Sequence, residues 1–266
     1  MPKLRIRVVL AVLLIALGWG FGCGKLKAKD RLNEGTRAYN RGEYEKAEQL
    51  FRESIEASPD FPQARLYLAA AIRAQFVPGG DSEQNKATGR KAIQAYEDVI
   101  KYSTNPSDID AAHAFIADIY KGLEEKEKHR EWTLKRINLK NQKDEIRAQS
   151  YYTLAVGYWD DSYKITQKYL IPKTNPPQYK AVKEWEKGDE EKVKEAVMKG
   201  LQYMEESIKI NPKYANCYSY RALLYREQAK LESDEKVKEQ LRQKADADIE
   251  EFQRLNREAQ AAQTEG

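Results

Sequence analysis

Cys23 and Cys217 are the two thiols of this chain, and His113 and His129 are its two imidazoles. A metal site would have to be assembled from these four residues and from carboxylates. The spacing does not assemble it. No His-Glu-x-x-His occurs, and Cys217 alone supplies one ligand where a structural zinc site takes four. Gly79-Gly80 lacks the Gly-Lys-Ser/Thr that continues a phosphate loop, so it reads as a turn. Asp246 and Asp248 have the spacing of a calcium loop without its glycine or its twelfth-position glutamate, and are expected on a solvated helix face. The two histidines fall at helical positions and read as structural or surface residues. No catalytic residue, no metal and no cofactor is expected, and the chain is read as a non-enzyme.

Cys23 points to a different chemistry. Lys3, Arg5 and Arg7 precede an apolar run from Val8 to Gly22. That run is shorter than the ~20 residues needed to span a bilayer and suits the apolar region of a secretory signal. It closes on Gly20-Phe21-Gly22, a small-x-small cleavage pattern, directly before Cys23. Residues 1–22 are therefore expected to be a signal peptide. Cys23 resembles the lipidated cysteine of bacterial lipoproteins, although such sequences usually carry Leu where Gly20 stands and a small residue where Phe21 stands. The resemblance implies acylation at Cys23, with residues 23–29 as a short tether. A plain secreted protein and an uncleaved anchor are the alternatives. Gly24 follows the cysteine where Asp would direct retention, and by resemblance to enterobacterial sorting this favours the outer membrane.

Loss of the signal's three basic residues leaves 43 Lys and Arg against 42 Asp and Glu, from 46 against 42 in the full chain. A near-neutral chain gives no electrostatic footprint for nucleic acid, and none is expected as a partner. Lys25, Lys27, Lys29 and Arg31 sit beside the proposed anchor, either facing anionic headgroups or forming a solvated leader. With 33% charged residues and a mean hydropathy of −0.82, a compact three-layer enzyme fold is disfavoured, while 41% apolar content excludes wholesale disorder. With Cys23 acylated, Cys217 has no disulfide partner; its apolar, aromatic setting predicts a buried, inert thiol.

What must position these residues is a set of helices. Gly35, Gly42, Tyr44, Ala47, Phe51 and Pro59 fall within one stretch of about 34 residues. Ala47, Leu50, Phe51 and Ile55 share one helical face. A second helix pair starts at Pro62, with Ala69 at the period from Gly35, is interrupted at Phe76–Ser82, and resumes near Ala87. A third carries Ile116, Ala117 and Tyr120, then Trp132, Leu134 and Ile137. A fourth opens with Tyr151, Leu154, Ala155 and Tyr158, leaves the pattern from about Asp160 to Asp189, where Pro172, Pro176 and Pro177 forbid a continuous helix, and returns with Val193, Val197, Gly200 and Met204. Gly200 to Pro212 repeats the spacing of Ala47 to Pro59. A fifth has Tyr218, Ala222 and Tyr225, then Leu241, Ala245, Ile249 and Phe252.

From about Ala28 to Arg257 this pattern resembles the tetratricopeptide (TPR) repeat. The resemblance implies an all-α fold, a TPR-like helical-hairpin solenoid of about five hairpins with a proline-containing insertion in the fourth. The expected divisions are hairpins one to three at 30–143, hairpins four and five at 144–256 with the insertion at 160–189, and a fraying polar tail at 257–266. No sheet is expected between Asp30 and Phe252. An ordinary all-α bundle is the alternative. The insertion, with Tyr163, Tyr169, Leu170, Ile171, Tyr179 and Trp185, is too apolar for an idle loop: it either packs back over the helices or forms a lid for a partner.

In TPR proteins the first helix of each hairpin lines a groove that holds a protein or peptide. Matching slots here are Leu32, Thr36, Tyr39 and Asn40 in the first hairpin, Leu66 and Arg73 in the second, and Asp118 and Lys121 in the third. The fourth supplies Tyr152, Trp159 and Asp160, and the fifth Ser219, Arg226 and Glu227. The Lys and Asn of a chaperone-type carboxylate clamp are replaced by Leu32 and Thr36, which disfavours a C-terminal carboxylate ligand. The resemblances together imply a membrane-tethered scaffold or adaptor for protein–protein interaction in the bacterial cell envelope. Bacterial lipoproteins of this build often serve outer-membrane assembly, secretion or pilus machinery. The competing reading is a soluble periplasmic module that stacks glycan or peptidoglycan on Tyr151, Tyr152, Tyr158, Trp159 and Tyr163.

Overall fold

The computed structural model describes residues 24–264; the expected signal peptide, residues 1–22, and Cys23 lie outside the described residues. Ten α-helices occur among them: α1 (24–40), α2 (Tyr44–Ala57), α3 (Pro62–Arg73), α4 (Glu83–Tyr102), α5 (Pro106–Gly122), α6 (Lys126–Ile137), α7 (Asp144–Thr166), α8 (Asp189–Ile210), α9 (Ala215–Leu231) and α10 (Glu235–Thr264). They pair in order as five antiparallel hairpins. The chain divides into two compact units, Met1–Lys135 and Arg136–Gly266, and the division falls inside α6.

In the first unit, small residues set the approach of the helices. A Cβ added to Gly35 would stand 2.5 Å from the Phe51 ring, so only glycine lets α1 lie against that buried phenylalanine. Ala28, Ala38 and Ala47 are fully buried around it. The Ser54 hydroxyl crosses from α2 to donate to the Ala28 carbonyl at 2.7 Å. Gly42, with φ +77°, makes the left-handed turn between α1 and α2. Proline opens both α3 and α5, where its missing N–H costs nothing. Leu50, Phe51, Leu68, Ile72, Tyr96, Val99, Ile116 and Ile119 close a continuous core across α2 to α5.

The interruption in the second hairpin is packed. α4 begins at Glu83, earlier than the expected Ala87, because the Ser82 side chain accepts from the Asn85 amide and caps the helix. The Asn85 side chain accepts from Val77 N and donates to Val77 O and Gly80 O. Phe76 is buried against Gly89 and Gly122. Polar contacts span the unit's outer side: Glu48 on α2 pairs with Arg52 and with Lys91 on α4, and accepts from Gln75.

The second unit repeats the hairpin device. A Cβ on Gly200 would meet Leu224 at 2.6 Å, and the Ser207 hydroxyl donates to the Ala148 carbonyl at 2.7 Å. Ser207 follows Gly200 at the interval by which Ser54 follows Ala47, and both serines are fully buried. Cys217 lies beside Ser207, Sγ to Oγ 3.1 Å. The α9/α10 hairpin is clamped by Arg221, which donates twice to Asp248 at 2.8 and 2.6 Å. The solvated face expected for Asp246 and Asp248 is half wrong: Asp246 is exposed, but Asp248 is buried and paired. The expected fraying from 257 is also corrected, since α10 stays helical to Thr264.

The insertion departs from expectation at its start and ends where expected, at Asp189. α7 continues through Thr166, so the chain leaves helical geometry six residues later than Asp160. A 3-10 turn at Gln167–Tyr169, strands β1 (Leu170–Ile171) and β2 (Gln178–Tyr179), and a second 3-10 turn at Val182–Glu184 follow. The two strands pair antiparallel, Leu170 opposite Tyr179, which corrects the expectation of no sheet; the pairing stays within the insertion and leaves the helical hairpins intact. The Tyr169 and Trp185 rings stack at 4.6 Å, 4° from parallel, over Val193 and Val197 of α8. The Tyr169 hydroxyl donates to Asp189 at 2.8 Å and accepts from Glu186 N at 2.9 Å. These bonds, with those from Lys168 and Lys192, hold the Asp189 carboxyl below its usual range.

Two glycines give opposite expectations. Gly35→Val drives a branched side chain into Phe51 and is expected to cost about 1–3 kcal/mol or more of stability. Gly157, within α7, has open space where a Cβ would go; Gly157→Ala is expected to add roughly 0.5–1 kcal/mol through backbone entropy alone. Urea unfolding of the two variants beside the parent checks both signs.

Candidate protein-binding grooves

In the first unit, Thr36, Tyr39 and Asn40 of α1, Phe51 of α2, and Tyr67 and Ala70 of α3 line an open cleft of about 290 Å³. The repeat geometry explains why they meet. The α1 face that buries Leu32, Gly35 and Ala38 leaves Tyr39 and Asn40 at its edge, and the Gly35–Phe51 contact brings α2 and then α3 alongside. Tyr39 meets Tyr44 edge-on at 5.3 Å, and Tyr67 sits 5.6 Å from Phe51 with 39% of its surface open. The Thr36 hydroxyl is spent on the Leu32 carbonyl at 2.9 Å. The Asn40 side chain is exposed, so its amide offers two donors and an acceptor to a ligand backbone.

Three expected groove residues thus share one cleft. Leu32 does not join them: it is buried in the core, which corrects its groove assignment. Leu66 packs partly buried against the same core. Arg73 lays its guanidinium over the Phe115 ring at 4.3 Å and stands near Tyr96, whose phenol burial pushes up to about 12 against the pull of that charge. Asp118 and Lys121 are exposed on α5 and outside the cleft lining. They sit near His129, whose Nδ1 lies 3.0 Å from the Ala117 carbonyl and whose pKa burial pushes down. His113 is buried against Trp132, with ring centroids at 5.5 Å. Both histidines are tied into helix packing.

In the second unit, Tyr152 and Trp159 lie one above the other on α7 and meet α9. Tyr152 contacts Tyr214 at 5.0 Å and Tyr220 at 5.5 Å, while Trp159 contacts Tyr220 at 5.3 Å and Tyr163 at 5.2 Å. Burial, then the neighbouring phenols, raises the Tyr152 pKa. The aromatics grouped on sequence divide between two faces of the helix. Tyr151 and Tyr158 stack instead on Tyr203 of α8, at 6.0 and 5.8 Å. Asp160 pairs with Lys164 at 2.7 Å, Arg226 approaches Asp246 at 3.6 Å, and Ser219 donates to Asn216 O at 3.0 Å. Glu227 is buried, accepting from Thr166 at 2.7 Å and pairing with Lys230 at 2.7 Å, so its groove assignment is corrected as well.

Sequence reasoning missed Tyr67, Tyr214 and Tyr220. Tyr67 sits at the edge of the α3 face that buries Ala64, Leu68 and Ala71, which leaves its ring half open. Among the described residues no three His, Cys, Asp or Glu side chains are grouped to hold a metal ion, and no helix is long and apolar enough to cross a membrane.

No protein-family model matches the sequence, and no curated protein matches it. Solved structures do. A crystal structure of MamA covers 87% of this chain and 92% of its own at a TM-score of 0.51 and 13% identity. A second MamA crystal structure covers 85% and 96% at 0.50 and 14%. YrrB, a TPR protein with an unusual peptide-binding site, matches more loosely, at 0.47 and 11% over 85% of this chain and 84% of its own. The fold is a TPR-like set of helical hairpins. At these identities the likeness speaks for the fold alone.

Burial pushes the Cys217 thiol up to about 11, with the Ser207 hydroxyl only partly opposing it. At pH 8 roughly one thiol in a thousand is then thiolate. In a Cys23→Ser variant, where one thiol remains, iodoacetamide at pH 8 is expected to label Cys217 only after denaturation. Labelling of the folded chain at the rate of free cysteine would contradict the buried assignment.

Proposed function

We propose that this chain is a non-enzymatic scaffold for protein–protein interaction that holds an extended or helical peptide on the first-helix face of its first unit. The observation that carries the reading is the cleft between α1 and α3. Its walls are Tyr39, Phe51 and Tyr67, and Asn40 stands at its edge with an uncommitted amide. Its volume of about 290 Å³ is at the small end for ligand sites, which suits one or two anchoring side chains of a peptide. Aromatic walls around a side-chain anchor are where interface energy concentrates. The TPR-like hairpin fold supports the same reading, because hairpins of this kind build extended binding surfaces.

In the same proposal the chain is exported into a bacterial envelope and tethered through an acyl group on Cys23, with the outer membrane favoured. The sequence supports this through the basic start, the Val8–Gly22 apolar run and the small residues before Cys23. A single acyl chain gives only reversible membrane binding. The multiple acylation of a bacterial lipoprotein cysteine would therefore be needed for a lasting anchor.

Two measurements test the two halves separately. Peptides selected against the full chain from a displayed library are expected to bind Tyr67→Ala at least tenfold more weakly, a loss of about 1.4–2 kcal/mol, with circular dichroism unchanged. Equal binding to parent and variant would remove the cleft from the account. A Cys23→Ser variant is expected to move from the membrane pellet to the soluble fraction of cells; retention in the pellet would refute the lipid tether and leave the groove untouched.

A further inference from the structure

The second unit has a groove that the first-helix reading does not use. α8 and the C-terminal half of α9 enclose about 450 Å³ of space. Its floor is apolar: Val197 and Leu201 of α8 and Leu231 of α9, with Met198 at the mouth. Met198 is 63% exposed, among the most open large apolar side chains of the described residues. An unbranched thioether at an open site adapts to varied apolar partners at little cost.

The rim has a sign. Glu190 and Glu205 stand at the two ends of the α8 edge and Glu232 at the end of α9, against the single cation Lys194. The first unit's cleft has no charged group in its lining, so the charge is particular to this groove. It does not come from the molecule as a whole, since the full chain carries +4. The shape also selects. Glu190 and Glu205 are fifteen positions apart on α8, which is about 22 Å at 1.5 Å per residue. A groove of that length with an apolar floor matches about four turns of a helix laid along it, apolar side chains inward and cations at the rim.

We propose that the α8/α9 groove docks a basic amphipathic helix of a partner protein, independently of the peptide held at α1 and α3. Its apolar face would cover Met198, Leu201 and Leu231, and its Lys or Arg residues would answer Glu190, Glu205 and Glu232. Apolar burial supplies the affinity, and the rim charges supply orientation and discrimination.

The test uses the full chain carrying Cys23→Ser and a fluorescent helical probe of about 15 residues, built of Leu at i, i+3, i+4 spacing and Lys elsewhere. A second probe has Glu in place of every Lys. Anisotropy is expected to show binding of the Lys probe that weakens as salt rises, and none of the Glu probe. Glu205→Lys with Glu232→Lys is expected to weaken the Lys probe about tenfold, and Met198→Lys to do the same. Glu97→Lys with Asp98→Lys, exposed on α4, and Tyr67→Ala are expected to leave it unchanged. Equal binding of both probes, no binding of either, or an equal loss in the α4 pair would overturn the proposal. So would a homodimer in sedimentation that Met198→Lys dissolves, because the groove would then belong to a second copy. Tyr67→Ala separates this result from failure of the α1/α3 cleft.

Discussion

Where the two helices of a hairpin cross, the smallest side chain at the crossing sets how close their axes come, and every other contact inherits that distance. Here the crossing residues are Gly35 against Phe51 in the first hairpin and Gly200 against Leu224 across the last two. Neither site has room for a methyl group without moving a buried neighbour. Once α1 and α2 are that close, a short side chain can reach from one to a carbonyl of the other, and a serine of α8 makes the same reach to α7, a different pair from the one Gly200 joins. Ser54 reaches Ala28 and Ser207 reaches Ala148, each at 2.7 Å. A buried hydroxyl without a partner is costly, so these serines tolerate only the register in which the carbonyl is within reach. Size thus fixes separation, and the hydroxyl fixes register.

The binding surfaces follow from that geometry. The α1 face turned inward carries Leu32, Gly35 and Ala38, leaving Tyr39 and Asn40 at its edge beside Tyr67 of α3. In the second unit the same arrangement places Tyr152 and Trp159 against Tyr214 and Tyr220, where the rings largely satisfy one another. The first unit therefore offers open apolar walls, while the second offers a filled aromatic seam on that side and an open, acid-rimmed groove between α8 and α9. Two similar hairpin sets present different chemistry because different side chains line their surfaces.

Local patterns carried the hairpins into view. The small residue, the aromatic and the terminating proline repeat at fixed intervals, and each acts within a single helical pair. The unreadable parts depend on partners distant in sequence. Asp248 looked like a solvated carboxylate because Arg221, which buries it, lies a full helix away. Leu32 and Glu227 were assigned to grooves because helical spacing gives a face but not which neighbour covers it. α4 began early because Asn85 ties Val77 and Gly80 to the capped first turn, a set of bonds that periodicity does not encode. The insertion's aromatic content left two readings open. Tyr169 and Trp185 pack inward, as the first of them has it, and Leu170 and Ile171 remain exposed.

That segment is fastened at its two feet. Tyr169 and Trp185 stack beside the chain's exit from α7 and its entry to α8, Asp189 ties the tyrosine down, and Lys230 of α9 lies 4.1 Å over the Tyr179 ring. Between the feet, Pro172, Lys173, Asn175, Pro176 and Pro177 are exposed. Changes in length or composition at this tip leave the fastened residues where they are. The tip is thus where a grafted epitope would stand clear of the residues that fasten the segment to the helices beneath.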